Sequence, residues 1–372
     1  MNIPLSQPDI TAAEIEEVVA VLRSTRLSLG PKMEEFEASV SDYVGQPFGI
    51  AVSSGTAGLH LCIRALGIGP GDEVIVPSFT FIAAANAIRY EGATPVFVDI
   101  DPLSLNLDPA RVEEAITPRT RAIIVVHTFG VPAEMDTLLD IAERHDLRII
   151  EDACEAIGAE YDGQRVGTFG DAAVFAFYPN KQITTGEGGM VVTRDPHLAT
   201  AIRAMRNQGR YDCDDWHQHF VLGWNYRLSE INCALGCAQM RRLDHILSIR
   251  ETVARTYDEA LRSVEGIEPP PLQLSRRQIS WFVYVVRLAP RFSQQDRDAI
   301  ARNLINQGIG CGRYFAPIHT QPAYNLPIAH PLPVTEAVSS HTLALPFFNL
   351  LDEKNILQIA ELLEKVVNFR ES

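Results

Sequence analysis

The fold is decided by the stretch Ile149-Ile150-Glu151-Asp152-Ala153-Cys154-Glu155. Its apolar start is typical of a short strand buried in a sheet, and Asp152 closes that strand. Comparable apolar runs lie on both sides of it, at Val74–Val76, Pro95–Val98, Ala122–Val126, Ala173–Phe177 and Met190–Thr193. Stretches with helical periodicity separate several of these runs, at about 56–66, 79–90, 133–145 and 197–207. Strands that alternate with helices predict an α/β fold with a mostly parallel sheet covered by helices on both faces.

The length of 372 residues favours two domains. The α/β pattern predicts a large domain over residues 1–240, N-terminal helices included. The first of these helices opens at the capping box Thr11-Ala12-Ala13-Glu14 and runs to about Arg23. After a long helical stretch at 229–263, a strand at Trp281–Leu288 and helices at 296–307 and 352–368 predict a smaller C-terminal α+β domain, residues 241–372.

The composition argues against several classes of partner. The formal net charge is −15, with acids and bases interspersed, so neither nucleic acid nor an anionic membrane surface is expected to bind. The N-terminus lacks the pattern of a signal peptide, and no apolar run reaches the ~18–20 residues of a membrane span. We therefore expect a cytoplasmic protein. Its six cysteines are scattered, which predicts reduced structural thiols and no metal site.

Three features point to a ligand at the carboxyl ends of the strands, where reactive groups of such sheets gather, and the first two are a turn and an aspartate. The turn at 53–58, Ser-Ser-Gly-Thr-Ala-Gly, opens a helix whose backbone N–H groups suit a phosphate, although an ordinary helix cap is the alternative. Asp152 at the end of its strand could hold a protonated heteroaromatic ring, because a carboxylate favours the charged form of such a ring. The alternative is that Glu151 and Asp152 are both simply solvated.

The third feature is Lys181, which follows the aromatic-rich run Phe175-Ala176-Phe177-Tyr178-Pro179-Asn180 and precedes the glycine-rich return 186–189. A lysine amine in a partly desolvated site can lose its proton and act as a nucleophile. The alternative for Lys181 is an ordinary solvated surface lysine.

The order of these features, a phosphate turn, a strand-end aspartate and a later lysine, resembles the fold-type-I pyridoxal-phosphate enzymes. Further blocks are similar to the sugar aminotransferase family named after the DegT, DnrJ and StrS proteins. They are Ser54–Ala57, Pro77–Phe81, Pro95–Asp99, Val126–Gly130, Glu151–Ala156, Lys181–Gly189, Gly223–Leu228 and Tyr314–His319. The resemblance runs from Pro4 to the final helix and implies a seven-stranded sheet in the large domain.

The resemblance also implies a role for each matched residue. Lys181 is expected to hold pyridoxal 5'-phosphate as a Schiff base and, once displaced, to be the base that moves the proton, while Asp152 pairs with the pyridine nitrogen. The further cofactor contacts that it implies are Gly55, Thr56 and Ala57 at the phosphate, Phe81 on the ring face, Glu155 beside the ring hydroxyl and Asn225 at the phosphate of a neighbouring subunit. The substrate-side residues that it implies are Arg227, Tyr314 and His319. The alternatives are that Arg227 supports the phosphate contact of Asn225 and that His319 is a structural histidine. His127, at a strand end, is interpreted as structural.

Two residues depart from the family's usual pattern. Glu155 stands where Gln is common, so its charge needs a partner. Ala176 stands where a Ser commonly binds the phosphate, so that contact is lost or supplied by Ser53, Ser54 or Asn180.

The resemblance implies an aminotransferase that takes an amino group from an amino acid, usually glutamate, and passes it through the pyridoxamine phosphate form of the cofactor to a keto-sugar. The expected substrate is a nucleotide-linked 4-keto-6-deoxysugar, and the expected assembly is a homodimer with a shared active site. Three alternatives stay open at this point. They are amination of a keto-cyclitol, dehydration of a keto-sugar, for which relatives carry His at the position of Lys181, and a non-catalytic regulator, in which Asp152 and Lys181 need not both be kept.

Overall fold

The computed structural model describes residues 2–211, 217–324 and 329–371. Its helices are α1 (Ala12–Leu22), α2 (Pro31–Val44), α3 (Gly55–Ala65), α4 (Ala83–Tyr90), α5 (Pro109–Glu114), α6 (Met135–Arg144), α7 (Pro196–Arg206), α8 (Glu230–Arg241), α9 (Leu243–Leu261), α10 (Gln294–Asn306), α11 (Pro333–His341) and α12 (Glu353–Glu371). Its strands are β1 (Phe48–Val52), β2 (Glu73–Pro77), β3 (Thr94–Val98), β4 (Thr120–Val126), β5 (Arg148–Asp152), β6 (Glu160–Tyr161), β7 (Gln164–Arg165), β8 (Ala172–Ala176), β9 (Gly189–Thr193), β10 (Ile267–Glu268), β11 (Arg277–Gln278), β12 (Tyr284–Leu288) and β13 (Thr342–Leu345).

A seven-stranded sheet organises the first half of the chain, in the order β1-β9-β8-β5-β4-β2-β3. β2 pairs in parallel with β3 and β4, β4 pairs in parallel with β5, and β5 with β8. β9 runs against both of its neighbours, β8 and β1. The predicted α/β fold with a mostly parallel sheet is therefore confirmed. Because β2, β4, β5 and β8 share one direction, the residues that follow them meet at one edge of the sheet.

Helices cover both faces of this sheet. On one face α3, α4 and α7 pack against strand residues such as Ile50 and Val174. On the other face α2 and α8 pack against Ala51 and Phe175, and α5 and α6 pack against Ile75 and its neighbours. Successive residues of one strand thus enter opposite cores, which explains why the strands are apolar along most of their length.

The C-terminal part has its own core around the antiparallel sheet β10-β12-β13, with α9, α10 and α12 packed on it. Ile3 belongs to this core as well, because the N-terminal residues pair beside Ile309. The start of α9 belongs elsewhere, since Leu243 and Ile246 lie in the core formed with α2 and α8. The predicted domain division after residue 240 falls near the junction of α8 and α9 and stays a prediction.

The strand expected at Trp281–Leu288 begins later, at Tyr284. The reason lies in the backbone carbonyls of Trp281 and Phe282, which accept hydrogen bonds from the buried Arg250 guanidinium at 2.6 and 2.8 Å. These two residues are therefore tied to α9 instead of extending β12.

None of the helices in the described residues combines the length and hydropathy that a membrane crossing requires. Five cysteines are free thiols, at positions 62, 154, 233, 237 and 311. Cys213 lies outside the described residues.

Candidate active site

Glu151 and Asp152 end β5 as neighbours, and both are buried. The Glu151 carboxylate accepts backbone N–H groups from Gly167 at 2.7 Å, Phe169 at 2.8 Å and Gly170 at 2.9 Å. It therefore organises the turn that leads into β8. The alternative that both acids are solvated is wrong for this pair.

The contacts of His127 agree with the structural role predicted for it. Its Nδ1 accepts the backbone N–H of Ala133 at 3.1 Å, so the ring proton lies on Nε2, which contacts Glu151 Oε2 at 3.1 Å. Both ring nitrogens are thus used inside the protein, and the ring is fully buried.

Asp152 is 7% exposed, and the backbone N–H of Cys154 donates to its Oδ1 at 3.2 Å. Burial raises the pKa of the Asp152 carboxyl, while hydrogen bonds from Cys154 and the positive charge of Lys181 act in the opposite direction. The two residues expected to hold the cofactor therefore lie close enough to influence each other. A further cation beside Asp152 would favour its ionised form, and a protonated pyridine nitrogen is such a cation.

Lys181 is not a solvated surface lysine, because its side chain is only 14% exposed. It lies in a turn after β8, in which its backbone N–H donates to the carbonyl of Tyr178 at 2.9 Å. Its Nζ lies 3.4 Å from Glu155 Oε1 and 4.0 Å from the centroid of the Phe282 ring. Phe282 comes from the C-terminal part of the chain, and the sequence pattern did not single it out.

The partner that the charge of Glu155 requires is Lys181. Its Oε2 accepts the backbone N–H of Phe129 at 2.9 Å, and its Oε1 faces Lys181. Burial raises the pKa of the Glu155 carboxyl, and the charge of Lys181 opposes this effect. The residue after Lys181 fixes the same segment, because Gln182 Nε2 donates to the Glu155 carbonyl at 2.6 Å.

The turn before α3 packs directly against the ends of β5 and β8. Ser54 Oγ accepts the backbone N–H of Ala57 at 3.1 Å and so caps the helix. A Cβ atom on Gly55 would lie 2.8 Å from Cys154 Sγ and 2.9 Å from the Ala176 Cβ, so only glycine fits there. Ala176 therefore lies beside the predicted phosphate turn, where its methyl group offers no hydrogen bond.

Gly189 confines the same turn from the side of β9. A Cβ atom at this position would lie 2.6 Å from the Ser54 backbone and 2.8 Å from the Gly55 nitrogen. Sequence reasoning did not assign Gly189 a role, although its place in the glycine-rich return was a signal. The return itself is held by Asn232, whose Nδ2 donates to the carbonyl of Thr185.

Phe81, the residue expected on the ring face, follows the buried strand β2 and yet exposes 61% of its surface. An exposed aromatic face at this edge of the sheet fits a ring-binding role, because a bound heterocycle would cover it.

Asn225 is exposed between Trp224 and Tyr226, whose rings lie 5.9 Å apart at an interplanar angle of 14°. The segment is tied to the phosphate turn, since the N–H of Ser53 donates to the Tyr226 carbonyl at 2.8 Å. His60 of α3 also contacts this segment, because its Nδ1 lies 3.2 Å from the Tyr226 hydroxyl.

The three expected substrate-side residues lie in different surroundings. Tyr314 stacks on Phe282 at 6.5 Å, which places it in the neighbourhood of Lys181, and burial raises the pKa of its hydroxyl. Arg227 donates to Asn207 Oδ1 at 3.0 Å. His319 is buried with Nδ1 at 2.7 Å from Ser78 Oγ, so one of its ring nitrogens already has a partner within the protein.

These surroundings fit a flat heterocycle with a phosphate at one end. The cap of α3 and the two glycines give a narrow turn for the phosphate, and Asp152 and Lys181 offer an acid and an amine at the same edge of the sheet. Asn180 adds a buried Oδ1 that has no hydrogen-bond partner among the described residues. This fold and this site define a pyridoxal-phosphate enzyme of fold type I.

Comparison with known proteins gives the family. The profile of the DegT/DnrJ/EryC1/StrS aminotransferase family matches residues 8–364. The chain is 42% identical over 368 residues to the GDP-perosamine synthase of Caulobacter vibrioides, with 98% of each chain covered. The protein therefore belongs to the DegT/DnrJ/EryC1/StrS aminotransferase family.

Solved structures agree with this assignment. DesV from S. venezuelae, solved in complex with a ketimine intermediate, is 38% identical with a TM-score of 0.88, covering 95% of this chain and 94% of DesV. Spr1654 from Streptococcus pneumoniae, solved in PLP and PMP forms, is 29% identical with a TM-score of 0.93; the PLP form covers 99% of each chain. The expectation of a PLP-dependent aminotransferase is confirmed, with PLP and PMP as its cofactor forms. The dehydratase and the non-catalytic regulator are thereby set aside.

Proposed function

We propose that this enzyme transfers an amino group from L-glutamate to a nucleotide-linked 4-keto-6-deoxysugar, for the biosynthesis of a polysaccharide or glycan. The similarity to a GDP-perosamine synthase over nearly the full length of both chains supports a sugar substrate of this class. The observation that carries the chemistry is the convergence of Asp152, Glu155 and Lys181 in one buried site at the carboxyl edge of the sheet.

We assign the roles of the chain's own residues as follows. When bound, the cofactor supplies an electron sink for the carbanion formed at the carbon that carries the amino group. Lys181 Nζ holds the cofactor, and once displaced it takes a proton from that carbon and returns one during the second half of the reaction. Asp152 holds a proton on the pyridine nitrogen. The buried surroundings of Lys181 keep water away from its amine.

The phosphate is proposed to bind at the N–H groups of Gly55, Thr56 and Ala57, where the positive end of α3 favours an anion. Phe81 is proposed to cover the ring. Arg227 and Tyr314 are proposed substrate contacts. His319 is proposed there too, but its hydrogen bond to Ser78 gives it a structural task as well.

A homodimer with a shared site is part of the proposal. Asn225 is exposed, as a residue that reaches the phosphate of a second copy has to be. Nearby in sequence, Phe220, Val221 and Leu222 are three consecutive exposed apolar residues, and a contiguous apolar patch of this kind is one that a second copy could cover.

The substrate is tested by a spectral titration of the pyridoxamine form. Nucleotide-linked keto-sugars and keto-cyclitols are added in turn, and recovery of the visible band of the Lys181-bound cofactor is followed. Recovery with a 4-keto-6-deoxysugar is expected. If a cyclitol ketone restores the band and no sugar does, the sugar assignment is wrong.

The role of Lys181 is tested by Lys181→Ala, with Lys354→Ala as a control, because Lys354 is an exposed lysine at the start of α12. Borohydride is expected to fix the cofactor to wild type and to the control but not to Lys181→Ala. Loss of fixation in both variants, or in neither, would refute the assignment.

A further inference from the structure

The nitrogen of Lys181 contacts two groups that both favour a positive charge. The carboxylate Oε1 of Glu155 lies 3.4 Å away, and the centroid of the Phe282 ring lies 4.0 Å away. The ring face carries partial negative charge, so a cation is attracted to it. The Glu155 side chain is 9% exposed, which means that little water screens its charge.

Glu155 cannot turn away from this position without losing other contacts. Its side-chain Oε2 accepts a hydrogen bond from the N–H of Phe129 at 2.9 Å. Its backbone carbonyl accepts one from Gln182 Nε2 at 2.6 Å. Ser280 holds the same glutamine, since Gln182 Nε2 also donates to Ser280 Oγ at 3.0 Å. The bond from Phe129 therefore holds the carboxylate beside the lysine, and the bond from Gln182 holds the backbone from which this side chain projects.

We propose that Glu155 is the counter-ion of the Lys181 nitrogen, both when the amine is free and when it carries the cofactor. This inference rests on the proposed attachment of the cofactor to Lys181. A Gln at position 155 would bring no charge, and its single amide oxygen could accept from Phe129 or from Lys181 but not from both. The consequence of Glu here is that a positive charge on the lysine nitrogen has an opposite charge beside it, which an amide would not supply.

Other titratable groups near Glu155 do not replace it. Asp152 is a carboxylate of the same site, assigned to the opposite edge of the cofactor ring. Cys154 and Tyr314 are close enough to interact with Glu155, and burial raises the pKa of both, which keeps them neutral. Within the described residues, Glu155 is thus the carboxylate that contacts the lysine nitrogen.

The first test is a pH titration of the visible absorbance of the loaded enzyme. Glu155→Gln is compared with wild type, with Glu155→Asp, which keeps the charge at a shorter reach, and with Glu187→Gln, which removes an exposed carboxylate from the same loop. The midpoint of the band is expected to fall by about 1–3 pH units in Glu155→Gln. Glu155→Asp is expected to fall less, and the control not at all.

The second test uses the full-length chain without cofactor, so it does not depend on loading. An amine-reactive reagent labels the protein over a range of pH, and mass spectrometry measures the rate at Lys181. Glu155→Gln is expected to label at lower pH than wild type, because its amine loses the charge that holds the proton.

The outcomes separate this inference from the proposed function. Equal midpoints and equal labelling profiles for wild type and Glu155→Gln would refute the counter-ion, even if borohydride still fixes the cofactor to Lys181. Absence of fixation to Lys181 in wild type would instead overturn the proposed function.

Discussion

Replacement of Glu151 by Gln puts an amide nitrogen in place of one oxygen of a buried carboxylate. Glu151 Oε1 accepts the N–H groups of Phe169 and Gly170, and Oε2 accepts the N–H of Gly167 and contacts His127 Nε2. Whichever way the Gln amide is turned, its NH2 group faces two donors. His127 cannot relieve this by moving its proton, because Nδ1 already accepts the N–H of Ala133.

Two buried donors therefore lose their acceptor in Glu151→Gln. At about 1–3 kcal/mol for each unsatisfied group, the free energy of unfolding is expected to fall by about 2–6 kcal/mol. For 372 residues at about 2.1 cal/mol/K each, this corresponds to a decrease of about 3–8 °C in Tm.

The assay is thermal unfolding at fixed protein and cofactor concentration, because ligand and partner binding both shift Tm. Glu187→Gln is the control, since it makes the same chemical change at an exposed position. A Tm of Glu151→Gln equal to that of the control would refute the account of the buried network and, with it, the fixed tautomer of His127.

Three further predictions concern the phosphate turn and acid stability. Ala176→Ser is expected to slow cofactor loss during dialysis by about 10-fold or more, since a hydrogen bond to a charged phosphate contributes about 1.5–3 kcal/mol; an unchanged loss rate would contradict this. Gly189→Ala is expected to weaken cofactor binding measurably in a spectral titration, because its Cβ would meet the backbone of the turn at 2.6 Å, whereas Gly69→Ala, with 3.7 Å to its nearest neighbour, is expected to bind normally. Burial raises the pKa of Glu14, but hydrogen bonds from Thr11, Arg242 and Gln239 outweigh it and lower the pKa from 4.5 to about 2. Glu14 thus stabilises the fold above pH 4.5 by about 3 kcal/mol, and this contribution is lost as the pH falls towards 2. Glu14→Gln is therefore expected to lower the urea midpoint at pH 7 and to leave it unchanged near pH 2.

Short sequence patterns predicted much of the fold. The capping box at Thr11 was readable because both halves of it lie within four residues, and the structure has both hydrogen bonds. The end of β5 was predictable because the apolar run gives way to two acids, Glu151 and Asp152. The mostly parallel sheet followed from the alternation of strands and helices, but the reversed direction of β9 did not, since a short apolar run reads the same both ways.

The parts that escaped prediction depend on contacts between distant segments. Nothing in the local pattern around Phe282 shows that its ring lies against Lys181, 101 positions earlier in the chain. The late start of β12 has the same origin, because it follows from a hydrogen bond to Arg250. Whether Glu151 and Asp152 were buried could not be read from two adjacent acids, since the donors that hold Glu151 come after it in the chain.

The position of the Phe282 ring has a practical consequence for engineering. If the last third of this chain is exchanged for that of a relative in order to change the specificity, the Phe282 ring that contacts Lys181 is exchanged as well. The same graft replaces Ser280, whose N–H donates to the carbonyl of Gly130 at 3.0 Å. A hybrid that keeps residues 279–283 from this enzyme is therefore expected to preserve the electrostatic surroundings of the lysine amine. In a hybrid that replaces them, a change in activity can come from the acceptor site or from the reactivity of the lysine.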